Sequence, residues 1–160
     1  MYEHIKLKNA INMRKANYDK FPSTKLTGML VQGWDSIMSM LKEKMDARKV
    51  LAVDLYTGVY EEEVLGAFSK EFSGRVMNVR DLMKPEKEIQ ALTERFMTED
   101  VLFGYVTNLK LEDYLDADKV AAARKQISEA KETIVIIGTG AAVVAPQDAM
   151  VVYADMARWE

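Results

Sequence analysis

The sequence predicts a three-layer α/β/α domain built on a mainly parallel sheet. Three observations lead there. Several segments repeat apolar residues every three or four positions, the spacing of an amphipathic helix. Between them lie short uncharged runs, such as Val50–Val53 and Thr133–Ile137, that are apolar at every position. Such runs suit strands covered on both faces, and helix-sized connections between strands make their neighbours parallel.

Taken in order, the first helix is signalled by Trp34, Ile37, Met38, Leu41 and Met45, which share one face. Lys42, Lys44 and Arg48 sit toward its C-terminal end, where cations complement the helix dipole. Val50–Val53 then reads as a buried strand ending at Asp54. A short loop with Gly58 leads into Glu61, Glu62 and Glu63, and a second helix follows with Val64, Leu65, Phe68 and Phe72 on its face. Ser73-Gly74 stops it. Arg75–Val79 is the second strand. Pro85 suits the first turn of a third helix, whose face is Ile89, Leu92 and Phe96.

Residues 97–116 read as a short strand or an extended crossover. Asp116 can cap a fourth helix with Val120, Ala123, Ile127 and Ala130 facing inward. Thr133–Ile137 is the strongest strand signal, β-branched and bounded by Gly138-Thr139-Gly140. Ala149–Ala154 is the last strand and ends at Asp155. No linker divides the chain, so residues 1–160 are expected to be a single domain.

Composition narrows the function. The chain has 160 residues, 49% hydrophobic and 29% charged, an ordinary globular balance. The net charge is −3, which does not favour a general nucleic-acid binder. No apolar run approaches the roughly 20 residues of a membrane helix, so no membrane partner is expected. The opening, MYEHIKLKN, is charged and lacks the apolar core of a secretory signal, so a cytoplasmic location is expected. Zero cysteines exclude disulfides, thiolate metal sites and cysteine nucleophiles. With His4 as the single histidine, a multi-histidine metal site is excluded, and neither a metal nor a cofactor is expected in this chain. Charge is uneven: residues 1–28 hold six basic against two acidic residues, and the remainder 16 against 23. Seven apolar residues interleave with that basic segment, so it reads as an arm packed on the domain.

In parallel α/β folds, ligands bind outside the carboxyl ends of the strands. The residues there are the candidates for a binding site: Asp54, Tyr56, Thr57 and Gly58 after the first strand, and Arg80 and Asp81 after the second. Gly138, Thr139 and Gly140 follow the third, and Asp155 the fourth. A phosphate cradle needs inward N–H groups, glycines and a lysine. The first loop has one glycine, no lysine and three glutamates at the helix start, so it is degenerate. Gly138–Val143 resembles a dinucleotide fingerprint only weakly, because Val143 stands at the third small-residue position. A tight turn or close backbone approach is the expected use of its glycines. Asp54, Asp81 and Asp155 would make a carboxylate trio if they met, although strand-end aspartates more often cap turns. No residue is assigned a catalytic role.

The order of elements resembles the P-loop, uridine-kinase-like fold, in which Asp81 within Val79-Arg80-Asp81-Leu82 would take the general-base position. That likeness implies the strand order second, third, first, fourth. A closer resemblance is carried by NYDKFPSTKLTG, VLAVDLYTGVYEEEVL and VVYADMARWE. These segments are similar to the N-terminal kinase-like domain of long bacterial class I mannose-6-phosphate isomerases. The resemblance implies a non-catalytic accessory domain that binds a sugar phosphate, a nucleotide or the downstream catalytic domain of its own protein. The family's zinc belongs to that other domain, whose histidines have no counterpart here. The segment Ala157-Arg158-Trp159-Glu160 reads as the start of a helix, which suggests a chain cut from a larger protein. An active small-molecule kinase with an atypical phosphate site, and a structural self-association module, are the alternatives.

Overall fold

The computed structural model describes residues 22–156 apart from 24, 26 and 46. The chain divides into two units, Met1–Leu30 and Val31–Glu160. Most of the basic arm, including residues 1–21 and His4, lies outside the described residues, as does Ala157–Glu160. The fold below is that of the second unit.

Helix α1 (Trp34–Met45) leads to strand β1 (Val50–Leu55), helix α2 (Glu61–Glu71) and strand β2 (Arg75–Asn78). A 3-10 turn, Val79–Leu82, and helix α3 (Glu86–Thr93) follow. After a long irregular stretch come helix α4 (Ala117–Glu129), strand β3 (Ile134–Gly138), helix α5 (Ala141–Val144) and strand β4 (Met150–Ala154). The four strands are all parallel, in the order β2-β3-β1-β4. This is the α/β class that the alternation of patterns predicts, with the expected strand order.

The period-two geometry of the strands divides the core in two. Leu51, Val53 and Leu55 of β1, with Val135 and Ile137 of β3, pack against Met38, Leu41 and Met45 of α1 and Val64, Phe68 and Phe72 of α2. Val50 and Ala52, with Ile134 and Ile136, face the opposite way onto Val120, Ala123 and Ile127 of α4 and Ala141 and Val144 of α5. Burying both faces of β1 and β3 requires apolar residues at successive positions, and that is why these strands lack alternation. Asp54 continues the even-numbered set and so lies on the α4–α5 side.

Capping explains the best-defined helix. The Asp116 carboxylate accepts from the backbone N–H groups of Asp118 and Lys119, the capping role its position predicts. The first helix packs beside α2. Trp34 meets Phe68 edge-on at 6.5 Å, and Phe68 stacks on Phe72 at 5.5 Å.

Three expectations are revised. The second strand ends one residue early, because Val79 turns into the 3-10 segment, its side chain buried beneath Gly138. The third helix stops at Thr93, and Glu94–Phe96 tightens into a 3-10 turn. Its face is only half-buried, so little packing holds it in α-helical form. Residues 97–110 form neither a strand nor a helix. They belong to an excursion whose two ends are tied together, with Lys84 N–H donating to Tyr114 O at 3.0 Å and Asp116 N–H to Leu82 O at 2.9 Å. Strand β4 lies at the edge that the expected order gives it, although it is apolar along its length. The four residues of α5 are too few to cover it, so Val151 and Tyr153 stay exposed on that face.

Phe68 is the largest of the fully buried side chains and 2% exposed. Phe68→Ala is expected to destabilise the domain by about 3–5 kcal/mol, read as a lower midpoint in chemical denaturation with an unchanged slope.

Candidate functional site

The candidate site lies at the carboxyl edge of the sheet, and its centre is Asp54. One oxygen of its carboxylate accepts from Gly140 N–H at 3.1 Å, and the other from Ala142 N–H at 2.9 Å. The sequence arranges this locally. Gly138, at φ +134°, and Gly140, at φ +90°, take backbone conformations that L side chains seldom adopt. A Cβ on Gly138 would stand 2.9 Å from Val79 Cβ, and one on Gly140 2.9 Å from Leu111 Cδ2. Thr139 Oγ1 donates to Leu55 O at 2.9 Å, pinning the same loop to the end of β1. The glycines therefore serve a tight, closely packed turn, as expected. Its inward N–H groups hold a carboxylate of the chain itself.

The start of α2 is similarly occupied. Glu61 accepts from Asn78 Nδ2 at 2.7 Å and from the Arg80 guanidinium at 2.7 Å. The same guanidinium lies 3.8 Å from Glu62, and Trp34 Nε1 donates to Glu63 at 3.0 Å. The three glutamates thus complement the helix dipole and also tie α2 to the end of β2 and to α1. Arg80 is the cation nearest in sequence to the expected general base, and it is engaged by these acids. Its side chain is 61% exposed, so the ion pair adds at most about 1 kcal/mol.

The sheet order separates the aspartates. Asp81 follows β2 at one edge, and Asp155 follows β4 at the other. Three strand spacings, about 14 Å, lie between those edges. Among the described residues no group of three carboxylates or histidines comes together to hold a metal. Asp54 and Asp155 do share a neighbourhood around Tyr153, which pairs with Asp54 across the β1–β4 ladder. The Tyr153 phenol is raised above its ordinary value of 10.0, first by desolvation, then by the negative charges of Asp155, Tyr56 and Asp54. Tyr56 is half exposed at this edge, its N–H bonded to Ala154 O at 2.9 Å. Gly58, at φ +106°, turns the next loop, and Thr57 is exposed beside it.

The structure thus joins Asp54 with Gly138–Gly140, and Tyr56 with Asp155 around Tyr153. It leaves Asp81 apart. Asn78 and Tyr153 were not among the residues the sequence singled out. Asn78 occupies the strand-end position just before Val79, and a polar residue closing an apolar strand is the signal that marks it.

A parallel sheet with helices on both faces and a self-occupied carboxyl edge places the molecule among α/β domains of the open, layered kind. Within that class the chain belongs to the family described as a domain of unknown function (DUF8485), whose model matches residues 33–160. No curated protein and no solved structure matches it.

Asp54→Asn keeps one acceptor oxygen but turns an amide toward the other N–H, leaving a donor unmatched. It is expected to cost about 1–2 kcal/mol in equilibrium unfolding, the lower part of the range because the site is half-buried. Asp81→Asn, at an exposed position, is expected to stay within about 0.5 kcal/mol. For Tyr153, the phenolate band, isolated by subtracting a Tyr153→Phe titration, should rise above pH 10.0, and Asp155→Asn should lower it part of the way. The raised value means that the folded state holds this proton more tightly. Its contribution to stability is therefore full below pH 10.0 and lost as pH rises through the folded-state value.

Proposed function

We propose that the chain is a non-catalytic accessory domain of kinase-like topology, part of a mannose-6-phosphate isomerase-like protein, and that it docks onto the catalytic domain of that protein. The observation that carries the reading is the Asp54 carboxylate seated on the N–H groups of Gly140 and Ala142. A phosphoryl group needs such N–H groups free. A second support is the engagement of Arg80 by Glu61 and Glu62, which removes the obvious substitute for a missing phosphate-loop lysine. Nucleotide or sugar-phosphate binding at the carboxyl edge would have to displace carboxylates of the chain itself. Docking requires no such displacement. The excursion after α3 offers an apolar surface for it, with Val101 97%, Leu102 81% and Phe103 72% exposed.

Two measurements test the reading. In thermal-shift titrations, magnesium-ATP, mannose 6-phosphate and fructose 6-phosphate are each expected to leave the melting temperature unchanged. A rise of several degrees with ATP, the shift expected of a ligand in about hundredfold excess over its Kd, would instead overturn this reading and revive the kinase alternative, which ATP turnover lost in Asp81→Asn would then support. The zinc-loaded catalytic domain of a class I mannose-6-phosphate isomerase, added in trans, is expected to bind the chain and to lose affinity for Phe103→Ser. No binding at concentrations near 100 μM, a weak-interface limit of about 5 kcal/mol, would overturn the docking role.

A further inference from the structure

A cavity of about 900 Å³ opens at the amino end of the sheet, far from the carboxyl-edge residues. It lies where the turn after α1 enters β1, and where α4 ends beside the segment joining α5 to β4. Its size falls within the usual range of small-molecule sites. Two chemistries meet in it. Ala47, Ala130, Ala145 and Pro146 supply a shallow apolar wall over the buried Ile127, Ile134 and Val144. Lys44, Arg48, Lys49 and Arg124 stand around it as cations, against the two carboxylates Glu132 and Asp148.

Helix dipoles explain part of that charge. The C-terminal ends of α1 and α4 both point toward this end of the sheet, and each carries roughly half a negative charge. With the end of α5 counted as well, about one and a half negative charges for the three helix ends against a net of two cations leave about half a positive charge over. Complementing the dipoles therefore does not use up the cations. Arg124 is also held in place: its guanidinium donates to Val143 O at 2.7 Å and to Val144 O at 3.4 Å, capping the last turn of α5. A fixed guanidinium beside a ready-made apolar wall costs little ordering on binding.

We propose that this cavity is a binding site for an amphipathic monoanion, an aryl or acyl group carrying a single carboxylate or sulfonate. The apolar body lies against Ala130, Ala145 and Pro146, and the anionic head meets Lys49, Arg48 and Lys44 at the mouth. A bare phosphate or a sugar phosphate does not fit this chemistry, because it would leave the apolar wall unpartnered. The inference is independent of the accessory-domain reading, since it uses none of the carboxyl-edge residues or the excursion.

The test uses the full chain and two fluorescent probes of one shape, 8-anilinonaphthalene-1-sulfonate and the uncharged 1-anilinonaphthalene. The sulfonate is expected to bind saturably at one site, about tenfold more tightly than the neutral probe. Lys49→Glu is expected to weaken the sulfonate about tenfold and leave the neutral probe unchanged. Ser128→Phe, which narrows the cavity from the exposed side of α4, is expected to weaken both, with a far-ultraviolet spectrum and melting temperature like those of the parent. Phe103→Ser, on the exposed apolar excursion, should alter neither. Unsaturable binding, equal affinity for the two probes, or binding lost with Phe103→Ser but kept in Ser128→Phe would each overturn the proposal.

Discussion

Much of this structure depends on one carboxylate. Asp54 stands one residue before the end of β1, on the α4–α5 side, and its two oxygens hold the turn that follows β3. That turn must reverse direction within a few residues and start a helix only four residues long. So short a helix has no cooperativity of its own. It persists because Asp54 satisfies N–H groups at its start, Arg124 satisfies carbonyls at its end, and Ala141 and Val144 are buried beneath it. The central pair of strands, the glycine turn and the last crossover are therefore one mechanical unit. The backbone N–H groups of Gly140 and Ala142 are used here for internal closure.

The second constraint is the two-sided burial of β1 and β3. Nothing polar is fully buried among the described residues, and no buried side-chain polar atom lacks a partner. The polar groups that matter cluster at the strand ends, where half-burial lets them bond one another at small desolvation cost. The edge is therefore orderly and already internally paired. At the opposite end of the sheet the balance reverses, with cations gathered around apolar walls.

The parts of the fold that were legible in the sequence are those governed by local periodicity. The faces of α1, α2 and α4, the cap at Asp116 and the apolar runs of β1 and β3 all follow from spacing. The failures have a common cause, which is that a single chain does not state how much of a neighbour covers it. Strand β4 reads as covered on both faces because MVVYA is apolar throughout, yet at its edge position α5 is too short to shield one of them. The stretch after Phe96 is rich in apolar residues, yet among the described residues Val101, Leu102, Phe103, Tyr105 and Val106 stay exposed. Of the candidate site, the residues after β1 and β3 were legible as strand ends. Their use was not, because the pairing of Asp54 with Gly140 joins positions 86 residues apart. The same limit hid the bond between Asn78 and Glu61. The family model, matching residues 33–160, covers nearly all of the unit in which these features occur.

The tied ends of the excursion bear on how this chain can change over time. Four hydrogen bonds join residues 82–84 to 113–119, so Lys84 and Tyr114 are neighbours whatever lies between them. The sheet does not register the length of the intervening segment. Doubling a loop closed in this way costs only about 0.6 kcal/mol in chain entropy. Residues 85–110 are thus a region where insertions, deletions and replacement cost the core little, whereas Leu111 lies against Gly140 and Asp113 belongs to the tie. Lineages sharing this sheet can diverge there first, acquiring new appendages while the closure around Asp54 is kept.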